Sequence, residues 1–155
     1  MTVLGGLHHA AVLTTDLNRL LAFYRTVFDA DPVLDLIDEG VRSVLIDVGG
    51  GGFVQAYEVP EGQIPLAGQP KYQRGHVDHI GLVAPTQEAF LAVRRRAMEV
   101  GATDGRVRDF GTAWGMKFRD PDGMQGDLMW ADPDTPPTAF RQYSDAPIAP
   151  WSKQP

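Results

Sequence analysis

The sequence predicts an α+β fold made of two paired β-α-β-β-β modules, and three observations predict it. A stretch beginning at His9, HAAVLTTDLNRLLAFYRTVFDAD, overlays without a gap on one beginning at His79, HIGLVAPTQEAFLAVRRRAMEVG, at an offset of 70 positions. Each copy passes from an apolar run through a polar break into an amphipathic run. Each is then followed by three further strand-like runs. Identities are limited to His9/His79, Leu21/Leu91, Ala22/Ala92 and Arg25/Arg95, so the shared order of elements carries the repeat.

In the first copy a short strand over about 7–13 leads to a helix opening at Thr15 or Asp16, either of which can accept from orphan N–H groups of the first turn. Leu17, Leu20, Leu21, Tyr24, Val27 and Phe28 recur at three- and four-residue steps, which marks the buried stripe. After DADP the pattern turns strand-like, with VLDLID and VRSVLIDV around the turn Glu39-Gly40, then FVQAYEV after Gly49 to Gly52. The second copy starts with VDHIGLVA. Its helix opens at Pro85-Thr86, ends at Gly101 and buries Phe90, Val93, Ala97 and Val100. RVRDF, TAWGMKFR and QGDLMW supply its other strands, with Asp120 to Gly123 as the tight turn between the last two.

This reading makes 1–132 one domain, with module one at 5–60, a linker at 61–74 and module two at 75–132. From Ala131 onward six prolines fall in 25 residues without periodicity. Residues 133–155 therefore read as an extended tail that wraps a surface or stays mobile, with Trp151 as an anchor.

Composition narrows the function classes. The 155 residues carry a formal net charge of −6 and a pI near 5.0, with no Lys/Arg-rich face, so nucleic acid is not an expected partner. Zero cysteines exclude disulfides, zinc thiolate sites and a cysteine nucleophile, and fit a reducing compartment. No charged and apolar leader opens the chain, and nowhere do 18 apolar residues run together, so a cytoplasmic protein without membrane contact is expected.

Strand alternation places the histidines. His9, Ala11 and Leu13 share one face, while the apolar pair Ala10/Val12 faces the helix. In the second copy His79, Gly81 and Val83 share the face opposite Ile80/Leu82. In the last strands Gln55 corresponds to Asp127 at an offset of 72, a drift of two residues within the loops. Each copy thus offers one histidine from its first strand and one oxygen-bearing side chain from its fourth. Together His9, Gln55, His79 and Asp127 form a borderline-hard donor set suited to Fe, Mn, Co, Ni or Zn as divalent ions, with positions left open for water or substrate. Gln55, as an amide, is a weak ligand and stands as either a donor or a bystander. Tyr57, Trp114, Met116 and Met129 read as candidates to line a pocket beside the metal. His8 and His76 lack the two-copy symmetry and take supporting or surface roles. No residue declares itself as the catalytic base; Glu58, the nearest glutamate, falls on the helix side of its strand. Gly49 to Gly52 has neither a following helix nor a lysine, so it reads as a hairpin loop and not a phosphate cradle. Arg94, Arg95 and Arg96 read as a solvated helix face.

The segments HHAAVLTTDLNRLLAFYRTVF, DHIGLVAPTQEAFLAVRRRAMEVGA and FRDPDGMQGDLMW resemble the vicinal oxygen chelate superfamily, which holds glyoxalase I, methylmalonyl-CoA epimerase, extradiol dioxygenases and the fosfomycin- and bleomycin-resistance proteins. The resemblance covers about residues 5–132. It implies two modules forming a cup-shaped mixed sheet around a divalent metal, commonly in a homodimer. It places first-strand ligands on His9 and His79 and fourth-strand ligands on Gln55 and Asp127, where the family usually carries glutamate in place of Asp127. It implies Lewis-acid catalysis of the isomerase, epimerase or lyase type on a small oxygenated substrate. The alternatives are an Fe(II) extradiol-type dioxygenase using His9, His79 and Asp127 on a catechol-like substrate, or a metal-free drug-binding protein of the bleomycin-resistance type. Specificity would lie in pocket residues and in the loop from Glu61 to Arg74.

Overall fold

Asp16 ends the first strand and starts the first helix. In a computed structural model, which describes residues 7–61, 77–134, 139, 144–146 and 148, β1 (His9–Thr14) gives way to α1 (Leu17–Phe28). The Asp16 carboxylate accepts from Arg19 N–H at 2.9 Å, a capping bond that answers one of the four orphan donors of the first turn. Thr14, fully buried, braces this corner by accepting from Asp16 N–H at 3.1 Å. The strand starts two residues later than the sequence pattern suggests, because Leu7 stands 79% exposed and has no face to join. Leu17, Leu20, Leu21, Tyr24 and Val27 are buried as the stripe predicts, and Phe28 is half-buried at its end.

Three strands follow: β2 (Pro32–Asp38), β3 (Val41–Asp47) and β4 (Phe53–Glu58). Glu39 and Gly40 both take positive φ, 49° and 85°, the backbone that a two-residue hairpin needs to match strand twist. The sheet runs β1-β4-β3-β2, with β1 parallel to β4 and the remaining neighbours antiparallel. Val44, Ile46, Val54, Ala56 and Val12 bury one face of it, and α1 lies against β4 on that side.

The second unit repeats the plan. β5 (Ile80–Val83) leads to α2 (Gln87–Glu99), whose N-cap Thr86 accepts from Ala89 N–H at 3.1 Å. Past the C-cap Val100, Gly101 takes φ 74°. Then come β6 (Val107–Asp109), β7 (Ala113–Arg119) and β8 (Gln125–Ala131). Phe90, Val93 and Ala97 are buried, whereas Val100 is 49% exposed because it lies at the cap, past the last turn that faces the sheet. The arginine run is not uniformly solvated either. Arg94 is half-buried and donates to the Gly105 carbonyl at 2.7 Å, and burial pushes its guanidinium below the usual arginine range.

The tail adds a strand that the sequence pattern does not mark. Ser144–Asp145 forms a further strand, β9, which adds to the edge of β6 and makes the order β5-β8-β7-β6-β9. Its polar, proline-flanked sequence lacks alternation, since an edge strand that covers only backbone needs no apolar face. Asp145 anchors it by accepting from Arg106 Nε at 2.8 Å. Trp151, His76 and most of the loop to Arg74 lie outside the described residues. The chain divides into two compact units, Met1–Pro70 and Lys71–Pro155. No helix among the described residues is long and apolar enough to cross a membrane.

Candidate functional site

Each sheet turns one face to its helix and leaves the other open, and the sequence-predicted donors stand on the open faces. In the first unit Ala11 pairs with Gln55, so Gln55 shares the face of His9, which is exposed at the strand start. In the second, Gly81 pairs with Asp127, so Asp127 stands on the face of His79. The two registers reproduce the offsets of 70 and 72 read from the sequence.

His79 and Asp127 come together within their unit: Nε2 lies 3.6 Å from Oδ2. Asp78 holds the far side of the ring, with Nδ1 2.7 Å from its Oδ1. An ionised carboxylate only accepts, so the proton of that bond sits on Nδ1, which leaves Nε2 as the ring nitrogen nearest Asp127. In the first unit His9 Nδ1 lies 2.9 Å from His8 Nδ1. One ring must donate and the other accept. When His9 donates, its Nε2 carries the lone pair, and His8 is then the residue that sets the tautomer. Gln55 Nε2 donates to Ser43 Oγ at 3.5 Å, which turns its carbonyl oxygen into the end able to meet a cation. Among the described residues no three histidine, aspartate or glutamate side chains gather as a metal-binding group.

Lys117 is the residue that the sequence reading missed. It pairs with Asp127 across β7 and β8, and its Nζ lies 2.9 Å from Oδ1 and 3.3 Å from Oδ2. The signal was available: a tight turn at Asp120 to Gly123 sets Arg119 opposite Gln125, and counting back two residues sets Lys117 opposite Asp127. Leu45, opposite Gln55, takes the corresponding place in the first unit. The two modules thus carry a neutral pair and a charged pair at equivalent positions.

The four pocket candidates separate by face. Tyr57 shares the open face with Gln55, and Met129 shares that of Asp127, packed with Phe110 over Gly115. A Cβ on Gly115 would meet Met129 Sδ at 2.9 Å and the Phe110 ring at 3.0 Å. Trp114 and Met116 are corrected to the helix side. Met116 is 1% exposed opposite Leu128, and Trp114 packs against Phe90 of α2 and against Trp130. Alternation decides this, since both differ from Lys117 by an odd number of positions. Glu58 faces its helix as expected and accepts from Leu17 N–H at 3.1 Å, so it is engaged at a helix start. The turn at Asp120 is closed by its own buried carboxylate, which accepts from Asp122 and Met124 N–H. Burial, which outweighs those bonds, pushes this carboxyl above the usual range.

The sequence profile of the Glyoxalase/Bleomycin resistance protein/Dioxygenase superfamily matches residues 6–126. The chain belongs to this superfamily. Solved superfamily structures share the fold at low identity. A glyoxylase/bleomycin resistance protein/dioxygenase domain from Frankia sp. EAN1pec aligns with a TM-score of 0.69 and 18% identity, over 83% of this chain and 99% of that one. Lactoylglutathione lyase from Agrobacterium tumefaciens aligns with a TM-score of 0.60 and 21% identity, over 83% and 96%. The fosfomycin resistance protein FosX from Listeria monocytogenes, complexed with Mn(II) and sulfate, aligns with a TM-score of 0.60 and 18% identity, over 86% and 98%. No curated protein sequence matches the chain significantly.

The geometry of the second unit's donors fits a divalent metal. Two ligands bound at about 2.1 Å to a tetrahedral or octahedral ion lie about 3.0–3.4 Å from one another, close to the 3.6 Å between His79 Nε2 and Asp127 Oδ2. The Asp78 contact is the carboxylate–histidine arrangement that fixes ring orientation and raises ligand basicity. One imidazole and one carboxylate, with no thiolate in the chain, select borderline and hard ions.

Proposed function

We propose that this protein is a divalent-metal-dependent enzyme of the superfamily, acting by Lewis-acid catalysis of the isomerase, epimerase or lyase type on a small oxygenated organic substrate. The residues that would hold the metal are the first-strand histidines His9 and His79 and the fourth-strand residues Gln55 and Asp127. The single observation carrying this reading is the His79 side chain, fixed by Asp78 at Nδ1 and aimed through Nε2 at Asp127. Relatives support it: FosX is complexed with Mn(II), and a lactoylglutathione lyase shares the fold. A bound divalent ion supplies charge stabilisation to substrate oxygens that become more negative during reaction. The chain's own residues do the rest. His79 and Asp127 provide an imidazole and a carboxylate on one face, Asp78 and His8 hold the rings, and Tyr57 and Met129 give the substrate apolar surface beside the polar groups.

The test is elemental analysis of protein purified without a metal-affinity tag, after incubation with Mn, Fe, Co, Ni and Zn salts. About one ion per chain is expected, whereas less than about 0.1 would overturn the reading. Turnover by this mechanism is the same with and without O₂, which separates it from dioxygenase chemistry. The Lys117–Asp127 ion pair favours one second reading, a metal-free small-molecule binder, because it neutralises Asp127 without any metal. A chain that takes up no metal yet binds a small organic molecule saturably would establish that reading instead.

A further inference from the structure

Lys117 and a divalent cation compete for one carboxylate. The Lys117 ammonium lies 2.9 Å and 3.3 Å from the two Asp127 oxygens, and the farther oxygen is the one 3.6 Å from His79 Nε2. The pair is partly exposed, at 37% and 21% for the two side chains, so its mutual attraction is modest. A divalent ion carries twice the charge and approaches an oxygen to about 2.1 Å, against 2.9 Å for the ammonium. A bound metal would take the carboxylate, and the four-carbon arm of lysine would let the ammonium swing aside without moving β7.

Where the ammonium goes follows from the register. Lys117 stays on the open face, together with Arg119, opposite Gln125, and Arg108, opposite Gly115. Asp127 balances one positive charge there, and a divalent ion would raise the positive charge of this face by two in a chain whose overall charge is −6. The first unit has no cation to displace at the equivalent positions, where Leu45 stands opposite Gln55.

We propose that Lys117 is a displaceable cation. It holds Asp127 until a metal replaces it, and then binds an anionic group of the substrate, which makes the substrate a small organic anion. This inference rests on the metal-dependent reading above.

The experiment has two arms on the full chain. In the first, Mn(II) is titrated into wild type, Lys117→Met and His79→Ala by calorimetry. Lys117→Met, which removes the competitor and keeps the arm, is expected to bind Mn(II) about three- to fivefold more tightly than wild type. His79→Ala is expected to bind at least about tenfold more weakly. Unchanged or weaker Mn(II) binding by both Lys117→Met and Lys117→Gln, with His79→Ala still weakened, overturns the lysine proposal alone. Wild-type affinity in His79→Ala overturns the metal reading and the proposal with it. In the second arm, inorganic phosphate is titrated into metal-free protein and followed by amide shifts along β7. Asp127→Asn, which releases the lysine from its partner, is expected to bind phosphate about fivefold more tightly than wild type, and the added Lys117→Met change is expected to abolish that gain. A gain that survives Lys117→Met, or no gain at all, overturns the assignment of an anionic substrate to Lys117.

Discussion

His79 illustrates how little freedom a single side chain retains once its neighbours are placed. Asp78 occupies Nδ1, Asp127 faces Nε2, and Lys117 occupies Asp127, so one imidazole is oriented by a chain of charges two residues deep. Asp120 is a different case, a buried carboxyl kept for its turn and penalised for its charge. Its two backbone bonds close the Asp120–Gly123 turn that sets the Lys117/Asp127 register. Because burial raises its folded-state value above the ordinary 3.8, ionised Asp120 weakens the fold at neutral pH. That penalty is relieved as pH falls into the window just above 3.8. Asp120→Asn keeps an oxygen to accept the same bonds and carries no charge. Its stability relative to wild type, measured by urea unfolding, is therefore expected to be highest near pH 7 and to shrink steadily on acidification. A difference that is flat with pH would show that Asp120 carries no such penalty.

The elements are placed by caps and turns more than by propensity. Asp16 and Thr86 start the helices, and left-handed backbone at Asp29 and Gly101 follows their ends. Gly101 offers a clean measure of one of these devices. A Cβ there would meet nothing within 4 Å, yet φ is 74°, so the whole cost of a side chain is backbone strain. Gly101→Ala is expected to lower stability by about 1 kcal/mol in thermal or urea unfolding, with no change in metal uptake. The last strand belongs to this scale as well. β9 covers the edge of β6, whereas β2, the corresponding edge in the first unit, keeps Val33, Leu34, Leu36 and Ile37 exposed. Nothing in the periodicity of the tail foretold that strand, because its contribution is backbone pairing plus the Arg106–Asp145 contact, neither of which leaves a hydrophobic pattern.

For the molecule as a whole the decisive feature is duplication with divergence. The proposed ligands include one histidine and one oxygen-bearing side chain from each copy of the repeat, so each histidine is tested by its own substitution. His9→Ala is expected to lower Mn(II) affinity at least about tenfold, as His79→Ala does, while leaving the melting temperature of the metal-free protein within about 2 °C. An unchanged affinity would mean that the first unit contributes no ligand. The sequence by itself determined the repeat, the two helical stripes, the strand alternation that puts His9 and His79 on the faces away from their helices, and the 70- and 72-residue correspondences. All of these are local, set by periods of 2 and 3.6 residues and by turn chemistry. Only the tertiary structure decided that the Lys117 ammonium closes on Asp127 at 2.9 Å, that Trp114 packs on Phe90 and Trp130 while Phe110 and Met129 cover Gly115, and that the tail returns as a strand on β6. Those facts depend on which strands become neighbours and how side chains fill the space between them, and residues distant in the chain acquire such relations only when the backbone has closed its hydrogen bonds.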